Sequence, residues 1–351
     1  MNEDQIKAFA KKVYGDMAGA MAVGMAYLGV KVGLFRTLAG KGPMRSEQVA
    51  RVSGLQPRYV EEWLKGMTSA GYLDYDPVGQ SFCLSDEHAF LLASEGSDHF
   101  MGGLFLMAPV LFGVAPKVAE AFEEGGGVRF EDFGPDCVVA LDTLNRGQYE
   151  QRFETYWLKA LPDIVERLER GGRVLDVGCG LGRVSVVIAK AFPKCEVVGL
   201  DADADSIRQA RFAAAEAGVG ERISFVAVSA GELERGDGFD LIAACDCVHD
   251  FAEPHKTLVA VRALLKSDGA LLVIEPKAAD RLEDNINPLA TVYFGFSIFH
   301  CMTQSLADGG AGLGTCMGPA CTEDLLRKAG FSRFQRLDIK SQTNLFYVAR
   351  P

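Results

Sequence analysis

The chain has 351 residues, of which 48% are hydrophobic and 24% are charged, and its formal net charge is −11. This length is enough for two domains with separate cores. The acidic balance gives no global positive field that would attract nucleic acid or an anionic membrane. Nine cysteines, an odd number without paired framework spacing, are typical of reduced thiols. No leader and no uninterrupted 18-residue apolar run is evident, so we expect a soluble, cytoplasmic protein with no membrane contact.

The chain begins with a helical stretch rich in Ala, Gly and Met, over residues 4 to about 30. Met17, Met21 and Met25 recur there at four-residue spacing. A methionine stripe at this spacing is most often a packing surface. We expect this surface to contact a partner subunit.

A winged-helix pattern follows. Two helical stretches, 46–54 and 58–70, precede two short strand-like segments at 71–75 and 81–84. Residues 1–95 hold ten Lys/Arg against eleven Asp/Glu, and acidic residues lie in the helix that would contact DNA. Because a DNA-binding face needs clustered cations, nucleic-acid binding is not expected.

The rest of the chain divides into a connector and an α/β region. Residues 96–165 are predicted to be helical, with apolar clusters at 104–107 and 110–112, and a helix over 149–168 is predicted to lead to the first strand. From residue 166 onward, apolar strand segments alternate with helical patterns. This alternation is typical of an α/β fold with a doubly wound parallel sheet.

A glycine-rich turn opens the α/β region. The apolar residues of 173–177 predict a buried strand, and Gly178, Gly180 and Gly182 follow it directly, ahead of a helical pattern. A strand, a glycine turn and a helix N-terminus let backbone N–H groups approach a polar or anionic ligand. Asp201 ends the next apolar strand, where a carboxylate can accept hydrogen bonds from two ribose hydroxyls. The sequence therefore predicts a ligand that contains adenosine.

The spacing Asp-x-Gly-x-Gly-x-Gly, from Asp176 to Gly182, resembles the first motif of the class I S-adenosylmethionine-dependent methyltransferases. Segments 223–230, 239–246 and 269–275 resemble the third, fourth and fifth strands of that family, in order. The resemblance implies a seven-stranded Rossmann-like sheet, closed by a C-terminal hairpin, and S-adenosyl-L-methionine as the cofactor. Ser229 stands where the family often has Asp. The implied cofactor-binding residues are Asp176, Gly178, Cys179, Gly180, Gly182, Asp201, Ala202, Ser229, Ala230 and Cys245.

The winged-helix segment resembles the N-terminal domain of small-molecule O-methyltransferases, in which this domain dimerises and covers the substrate. The resemblance implies a homodimer with three parts: a winged-helix dimerisation and lid domain at 1–95, a connector at 96–165 and a catalytic domain at 166–351. An alternative of another class is a ligand-sensing transcription regulator, which would require the winged helix to bind DNA.

The candidate catalytic segment is 247–251, Cys-Val-His-Asp-Phe, after the predicted fourth strand. Winged-helix O-methyltransferases have His-Asp-Trp here, with the histidine as general base; His249 and Asp250 match and the third residue does not. A histidine can take a proton from a phenol-like hydroxyl as the oxygen attacks a methyl group. The resemblance gives Glu275 the role of holding His249, whereas a second supporting glutamate falls on Cys316 and is missing. His249 could instead be structural, and an N, S or C acceptor would need only positioning.

The acceptor is expected to lie under residues 276–321, a long segment with many aromatic and sulfur-containing side chains. This content indicates a small, largely apolar and aromatic molecule. The candidate substrate-binding residues are Phe296, His300 and Met302. The same residues could equally form the core of an added helix pair.

Two other kinds of site are not expected. The residues His249, Asp250 and His255 and the Cys245/Cys247 pair show no tetrahedral ligand set, so no metal is predicted. A nicotinamide-dependent oxidoreductase would need the dinucleotide spacing, whose third glycine falls on Arg183.

Overall fold

A computed structural model describes all residues, 1–351. The chain forms two compact units: the first contains residues 1–110 and 139–148, and the second contains residues 111–138 and 149–351. The connector predicted for residues 96–165 is thus shared between the two units. Helices α6 (Gly102–Gly113) and α8 (Asp136–Arg152) each run across a boundary between them.

The first unit is mainly helical and carries a small antiparallel hairpin. Its remaining elements are α1 (Glu3–Lys31), α2 (Leu34–Leu38), α3 (Ser46–Ser53), α4 (Pro57–Ser69), β1 (Asp74–Asp76), β2 (Ser81–Cys83) and α5 (Asp86–Leu92). Helix α4 buries Trp63, whose indole Nε1 donates a hydrogen bond to the carbonyl of Met25 at 2.8 Å. Gly29 allows this close contact, because a Cβ there would lie 2.5 Å from the Trp63 ring. The order of helices followed by a β-hairpin confirms the predicted winged-helix domain.

Helix α1 is 29 residues long and mostly exposed. By length and composition it is apolar enough to cross a membrane. Core helices of soluble proteins and N-terminal signal segments share these properties, so this finding alone does not place the chain in a membrane.

The second unit contains a seven-stranded sheet flanked by helices. Its strands are β3 (Arg173–Val177), β4 (Glu196–Asp201), β5 (Ile223–Ala227), β6 (Phe239–Cys245), β7 (Leu265–Pro276), β8 (Arg333–Arg336) and β9 (Asn344–Arg350). Their order is β5-β4-β3-β6-β7-β9-β8. The first five are parallel, whereas β9 pairs antiparallel with both β7 and β8. This is the predicted doubly wound α/β fold, with its antiparallel C-terminal hairpin.

Helices cover both faces of this sheet, and every residue of β6 is buried, as expected for a central parallel strand. Side chains alternate between two apolar cores: Val174 contributes to one, and Leu175 and Val177 to the other. The remaining helices are α7 (Ala115–Glu124), α9 (Pro162–Arg170), α10 (Arg183–Ala191), α11 (Ala204–Glu216), α12 (Pro254–Leu264), α13 (Pro288–Phe296), α14 (Met302–Ala307) and α15 (Gly318–Lys328).

One predicted helix differs from the observed structure. The apolar pattern predicts a single helix over 149–168, but α8 ends at Arg152 and α9 begins at Pro162, with π and 3-10 turns between them. Proline disfavours helical backbone in the residue before it, and Leu161 has φ −122° and ψ 66°.

Candidate active site at the carboxyl edge of the sheet

The glycine turn after β3 adopts backbone conformations that L side chains rarely take. Gly178, Gly180 and Gly182 have φ values of 66°, 49° and 73°. A Cβ on Gly178 would lie 2.8 Å from the Cβ of Cys247, whereas a Cβ on Gly180 would meet nothing within 4 Å. The turn is therefore packed against the protein at Gly178 and open at Gly180, where a ligand can approach the backbone.

Asp201 connects the end of β4 to this turn. Its Oδ2 accepts a hydrogen bond from the N–H of Gly180 and its Oδ1 accepts one from the N–H of Asp203, both at 2.9 Å. Burial raises the pKa of this carboxyl group. Since each carboxylate oxygen accepts more than one hydrogen bond, both oxygens can still bind hydroxyl groups of a ligand.

Asp176 lies at the end of β3 and is buried. Its Oδ2 accepts hydrogen bonds from Oγ of Ser185 at 2.7 Å and from the N–H of Ser185 at 3.0 Å. Burial raises the pKa of Asp176 to about 7. These contacts fix the first turn of α10 against the strand, so Asp176 holds the glycine turn in shape.

The other predicted cofactor residues border the same edge. Both the N–H and the Oγ of Ser229 donate to Oε2 of Glu232, at 2.9 and 2.7 Å. Ser229 and Ala202 are exposed, whereas Cys179, Ala230 and Cys245 are buried. Roles for these residues in cofactor binding stay predictions.

His249 and Glu275 form a buried pair after β6 and near the end of β7. The Nδ1 of His249 lies 2.5 Å from Oε2 of Glu275, and Oε1 of Glu275 accepts a hydrogen bond from the N–H of Val248 at 2.9 Å. Both side chains are almost completely buried. Glu275 therefore contacts the ring of His249 at Nδ1, and its role in holding this histidine stays a prediction.

The opposite ring nitrogen of His249 faces Asp250. Its Nε2 lies 3.5 Å from Oδ1 of Asp250, and this oxygen is shielded from water without a hydrogen-bond partner. Burial lowers the pKa of His249, but the carboxylates of Asp250 and Glu275 outweigh it and hold that pKa well above its usual range. A proton on Nε2 is thus strongly stabilised.

Sequence reasoning missed Cys301, which the fold brings to the same place. Cys301 is buried, and its Sγ lies within 4.8 Å of a ring nitrogen of His249 and of a carboxylate oxygen of Asp250. Burial raises the pKa of this thiol to about 11. A sequence separation of roughly fifty residues gave no local signal for the contact.

His300 lies beside Cys301 and is also buried. Its ring packs on Phe133 with centroids 4.7 Å apart, and its Nε2 is 3.6 Å from Sγ of Cys137. Burial lowers the pKa of His300, which favours a neutral ring. The segment 130–137, which the sequence did not predict as part of the site, therefore lies against the predicted acceptor segment.

Asp246 is a second residue that the sequence did not single out for chemistry. It follows β6 directly and has a φ of 51°, unusual for a residue other than glycine. Tyr149 Oη and Asn344 Nδ2 each donate to its carboxylate at 2.7 Å. Burial raises the pKa of Asp246 to about 7. Strained backbone of this kind clusters at functional sites.

The predicted acceptor segment contains a helix pair, α13 and α14, joined by a π turn, as the alternative interpretation of this segment described. Phe296 and Met302 are half-buried. Cys316 is half-buried and supplies no carboxylate, as the sequence predicts for the missing second glutamate. Substrate contacts by Phe296, His300 and Met302 stay predictions.

These features suit S-adenosylmethionine. The open backbone at Gly180 and the carboxylate of Asp201 would hold its ribose and methionine parts, and the cofactor supplies a methyl group bound to an electrophilic sulfonium. His249 lies at the same edge of the sheet, because β3 and β6 are neighbouring parallel strands. The arrangement can bring a nucleophile and a proton acceptor to one methyl group.

Comparisons with known protein families give two matches. Residues 168–323 match the methyltransferase domain family, and residues 19–94 match the Rv2258c-like winged HTH domain family. The ubiquinone biosynthesis O-methyltransferase of Bordetella avium is 31% identical over 115 residues, which cover 32% of this chain and 44% of that protein. The chain thus spans less than half the length of the curated relatives it first matches.

Solved structures extend the likeness in fold over nearly the whole chain. Human N-acetylserotonin methyltransferase in complex with SAM has a TM-score of 0.69 at 20% identity, with 97% of each chain covered. An O-methyltransferase family protein from Burkholderia thailandensis has a TM-score of 0.68 at 15% identity, covering 100% of this chain and 98% of that one. The chain thus contains a methyltransferase domain over residues 168–323 and a winged HTH domain over residues 19–94, and as a whole it has the fold of these solved methyltransferases.

Proposed function

We propose that the protein transfers the methyl group of S-adenosylmethionine to a hydroxyl group of a small, largely apolar, aromatic molecule. The observation that carries this proposal is the buried His249–Glu275 pair at the edge of the sheet where the glycine turn lies. A fixed imidazole beside a methyl donor suits an acceptor that must lose a proton as it reacts.

His249 is proposed as the general base. Its Nδ1 proton is directed to Glu275, so Nε2 is the atom available to an acceptor hydroxyl. As the acceptor oxygen bonds to the methyl carbon and the carbon–sulfur bond breaks, the hydroxyl proton passes to Nε2. Glu275 and Asp250 then stabilise the imidazolium, in the way that a buried aspartate supports histidine in serine proteases.

The aromatic character of the acceptor is inferred from the aromatic residues that contact His300 and Phe299 in the predicted acceptor segment. Phe133 packs on His300, and Phe112 and Phe299 make an edge-to-face contact with ring centroids 6.1 Å apart. The charged groups at this end of the site are the ring of His249 and the carboxyl groups of Asp246, Asp250 and Glu275. Apolar walls with few polar groups favour an aromatic molecule with one reactive hydroxyl.

A second candidate is methylation at nitrogen, sulfur or carbon without a base. The strong preference of His249 for its proton supports this alternative, because a protonated ring cannot accept another. His249 would then orient an acceptor that is already nucleophilic.

We also propose a cytoplasmic homodimer that does not bind nucleic acid or a membrane. Helix α1 exposes Phe9, Val13, Met17 and Met21 at four-residue spacing, an apolar stripe that a second copy could cover. In α4 the cations Arg58 and Lys65 are paired with Glu62 and Glu61, which leaves little positive charge for DNA phosphates. Light scattering measures whether the chain forms a dimer. A gel-shift assay that shows no sequence-specific band would exclude the alternative that the protein is a transcription regulator.

The test of the proposed reaction is a screen of small-molecule extracts with methyl-labelled S-adenosylmethionine. We expect label to appear in an apolar, aromatic product as a methyl ether. Label at nitrogen, sulfur or carbon would favour the second candidate. Binding of S-adenosylhomocysteine without transfer to any hydroxyl compound would count against the proposal.

A further inference from the structure

A buried oxygen atom of Asp250 has no hydrogen-bond partner. Oδ1 of Asp250 is shielded from water, and the nearest basic atom, Nε2 of His249, is 3.5 Å away. This separation is too long for a strong hydrogen bond, which would be under about 3.2 Å. Buried carboxylate oxygens without a partner are costly, so such an atom suggests a ligand that the protein alone does not provide.

Cys301 completes a group of three different metal-ligating side chains. Its Sγ, a ring nitrogen of His249 and a carboxylate oxygen of Asp250 all lie within 4.8 Å of one another. In a tetrahedral zinc site with bonds of 2.0–2.3 Å, neighbouring ligand atoms are about 3.3–3.8 Å apart. The His249–Asp250 separation already matches this distance, and a small movement of the Cys301 side chain would complete the set.

Glu275 is not one of the three ligands, but it contacts the ligand His249 and can orient its ring. A histidine that binds a metal through one ring nitrogen usually donates its other N–H to a carboxylate. Here Nδ1 of His249 lies 2.5 Å from Oε2 of Glu275, so Nε2, which lies 3.5 Å from Oδ1 of Asp250, is the nitrogen that can bind a metal once it has lost its proton. The ligand chemistry, imidazole with thiolate and carboxylate, is that of zinc rather than of magnesium or calcium.

We propose that His249, Asp250 and Cys301 bind a zinc-class divalent cation, with a fourth position open to water or to an acceptor oxygen. The ion takes Nε2 of His249 and the Oδ1 oxygen that otherwise lacks a partner, and it displaces the proton of Nε2 and the thiol proton of Cys301 into solvent. Charge is balanced, because two positive charges meet the carboxylate of Asp250 and the new thiolate. The ion and the proton compete for Nε2, so the metal-bound form cannot use His249 as a base.

The test uses the whole chain, treated with a chelator, dialysed and titrated with Co²⁺ as the probe. A thiolate ligand gives cobalt a charge-transfer absorption band. We expect one Co²⁺ per chain with this band, and displacement by Zn²⁺. Glu275→Gln should weaken binding by about 10–100-fold, the usual cost of losing such a contact to a metal ligand.

Cys301→Ser should remove the band, whereas Cys195→Ser is the matched control. Cys195 is also a buried thiol, but it precedes β4 and therefore lies at the opposite, amino edge of the sheet. Asp250→Asn, at a half-buried position, is a second variant if Cys301→Ser does not fold; it should weaken Zn²⁺ binding measured by calorimetry. Binding of S-adenosylhomocysteine reports that each variant is folded.

The proposal is overturned if the wild type shows no band, or if Cys301→Ser and Asp250→Asn bind Co²⁺ as the wild type does. Metal binding requires neither the cofactor nor an acceptor. If no metal binds, the proposal of methyl transfer therefore still stands. If no methyl transfer is found, the proposal of a metal site still stands.

Discussion

The candidate site has two ends that are assembled in different ways. The methyl-donor end consists of the glycine turn 178–182 with Asp176 and Asp201, and the methyl-acceptor end consists of His249, Asp250, His300 and Cys301. At the donor end, the hydrogen bonds join residues close in sequence: Asp176 binds Ser185, nine positions on, and Asp201 binds Gly180, 21 positions away. At the acceptor end, Cys137 contacts His300 across 163 positions. The donor end depends on backbone shape, whereas the acceptor end depends on side chains from several distant segments.

This difference explains why the cofactor is easier to infer than the acceptor. Backbone shape is dictated by glycines at fixed spacing, and any chain that binds the same cofactor in this fold must keep that shape. The side chains at the acceptor end can change without altering the fold, because loops carry specificity on a fixed scaffold. Variants at the two ends should therefore separate cofactor affinity from turnover.

The largest effect is expected from His249→Ala. Removing the proposed base should lower kcat with a hydroxyl acceptor by about 10²–10⁴-fold, the usual contribution of a positioned base. Affinity for S-adenosylhomocysteine should change little. Initial rates with the labelled cofactor measure this, and Glu275→Gln should show a smaller loss of the same kind. Unchanged kcat in His249→Ala would leave only a structural role for this histidine.

A pair of alanine variants separates backbone strain from packing in the glycine turn. Gly178→Ala and Gly180→Ala both impose a side chain on a left-handed backbone, but only the first brings a Cβ within 2.8 Å of Cys247. Gly178→Ala should therefore lose about 1–3 kcal/mol more of the free energy of unfolding, the usual cost of overpacking. Chemical denaturation measures the difference. Equal losses of the free energy of unfolding in the two variants would show that Cys247 moves aside without destabilising the protein.

Asp201→Ala should act at the donor end alone. Loss of hydrogen bonds from a charged acceptor costs about 1.5–3 kcal/mol, which corresponds to roughly 10–100-fold weaker binding of S-adenosylhomocysteine. With saturating cofactor, kcat should stay close to that of the wild type. Calorimetry gives the affinity, and wild-type affinity in this variant would exclude Asp201 as a ribose ligand.

The last effect concerns stability and not the reaction: it is the pH dependence that Asp176 gives to the free energy of unfolding. Its pKa is raised from 3.8 to about 7 in the folded protein, so the folded state binds the proton more tightly than the unfolded state. This contribution is fully present below about pH 4 and is lost as the pH rises to about 7, with a slope of at most about 1.4 kcal/mol per pH unit. Asp176→Asn should remove it. Urea unfolding of both proteins across this range is the measurement; parallel profiles would contradict the expectation.

The sheet, the winged helix and the glycine turn could be predicted because each leaves a local pattern: buried runs such as 239–245, and glycines at 178, 180 and 182. The pairing of His249 with Glu275 followed from the family resemblance. The contacts of Cys301 and Cys137 could not be predicted, since nothing in the flanking sequence specifies a partner so far away. Asp246 was not predicted for another reason: the sequence around an aspartate that follows a strand does not indicate that its φ will be positive.

The central claim is that the two ends of the site can be separated, and one measurement tests it most directly: the affinity for S-adenosylhomocysteine, by calorimetry, of the wild type, Asp201→Ala and His249→Ala. The account predicts that the wild type binds, that Asp201→Ala binds roughly 10–100-fold more weakly and that His249→Ala binds like the wild type. No binding by the wild type, or equal losses in both variants, would contradict it.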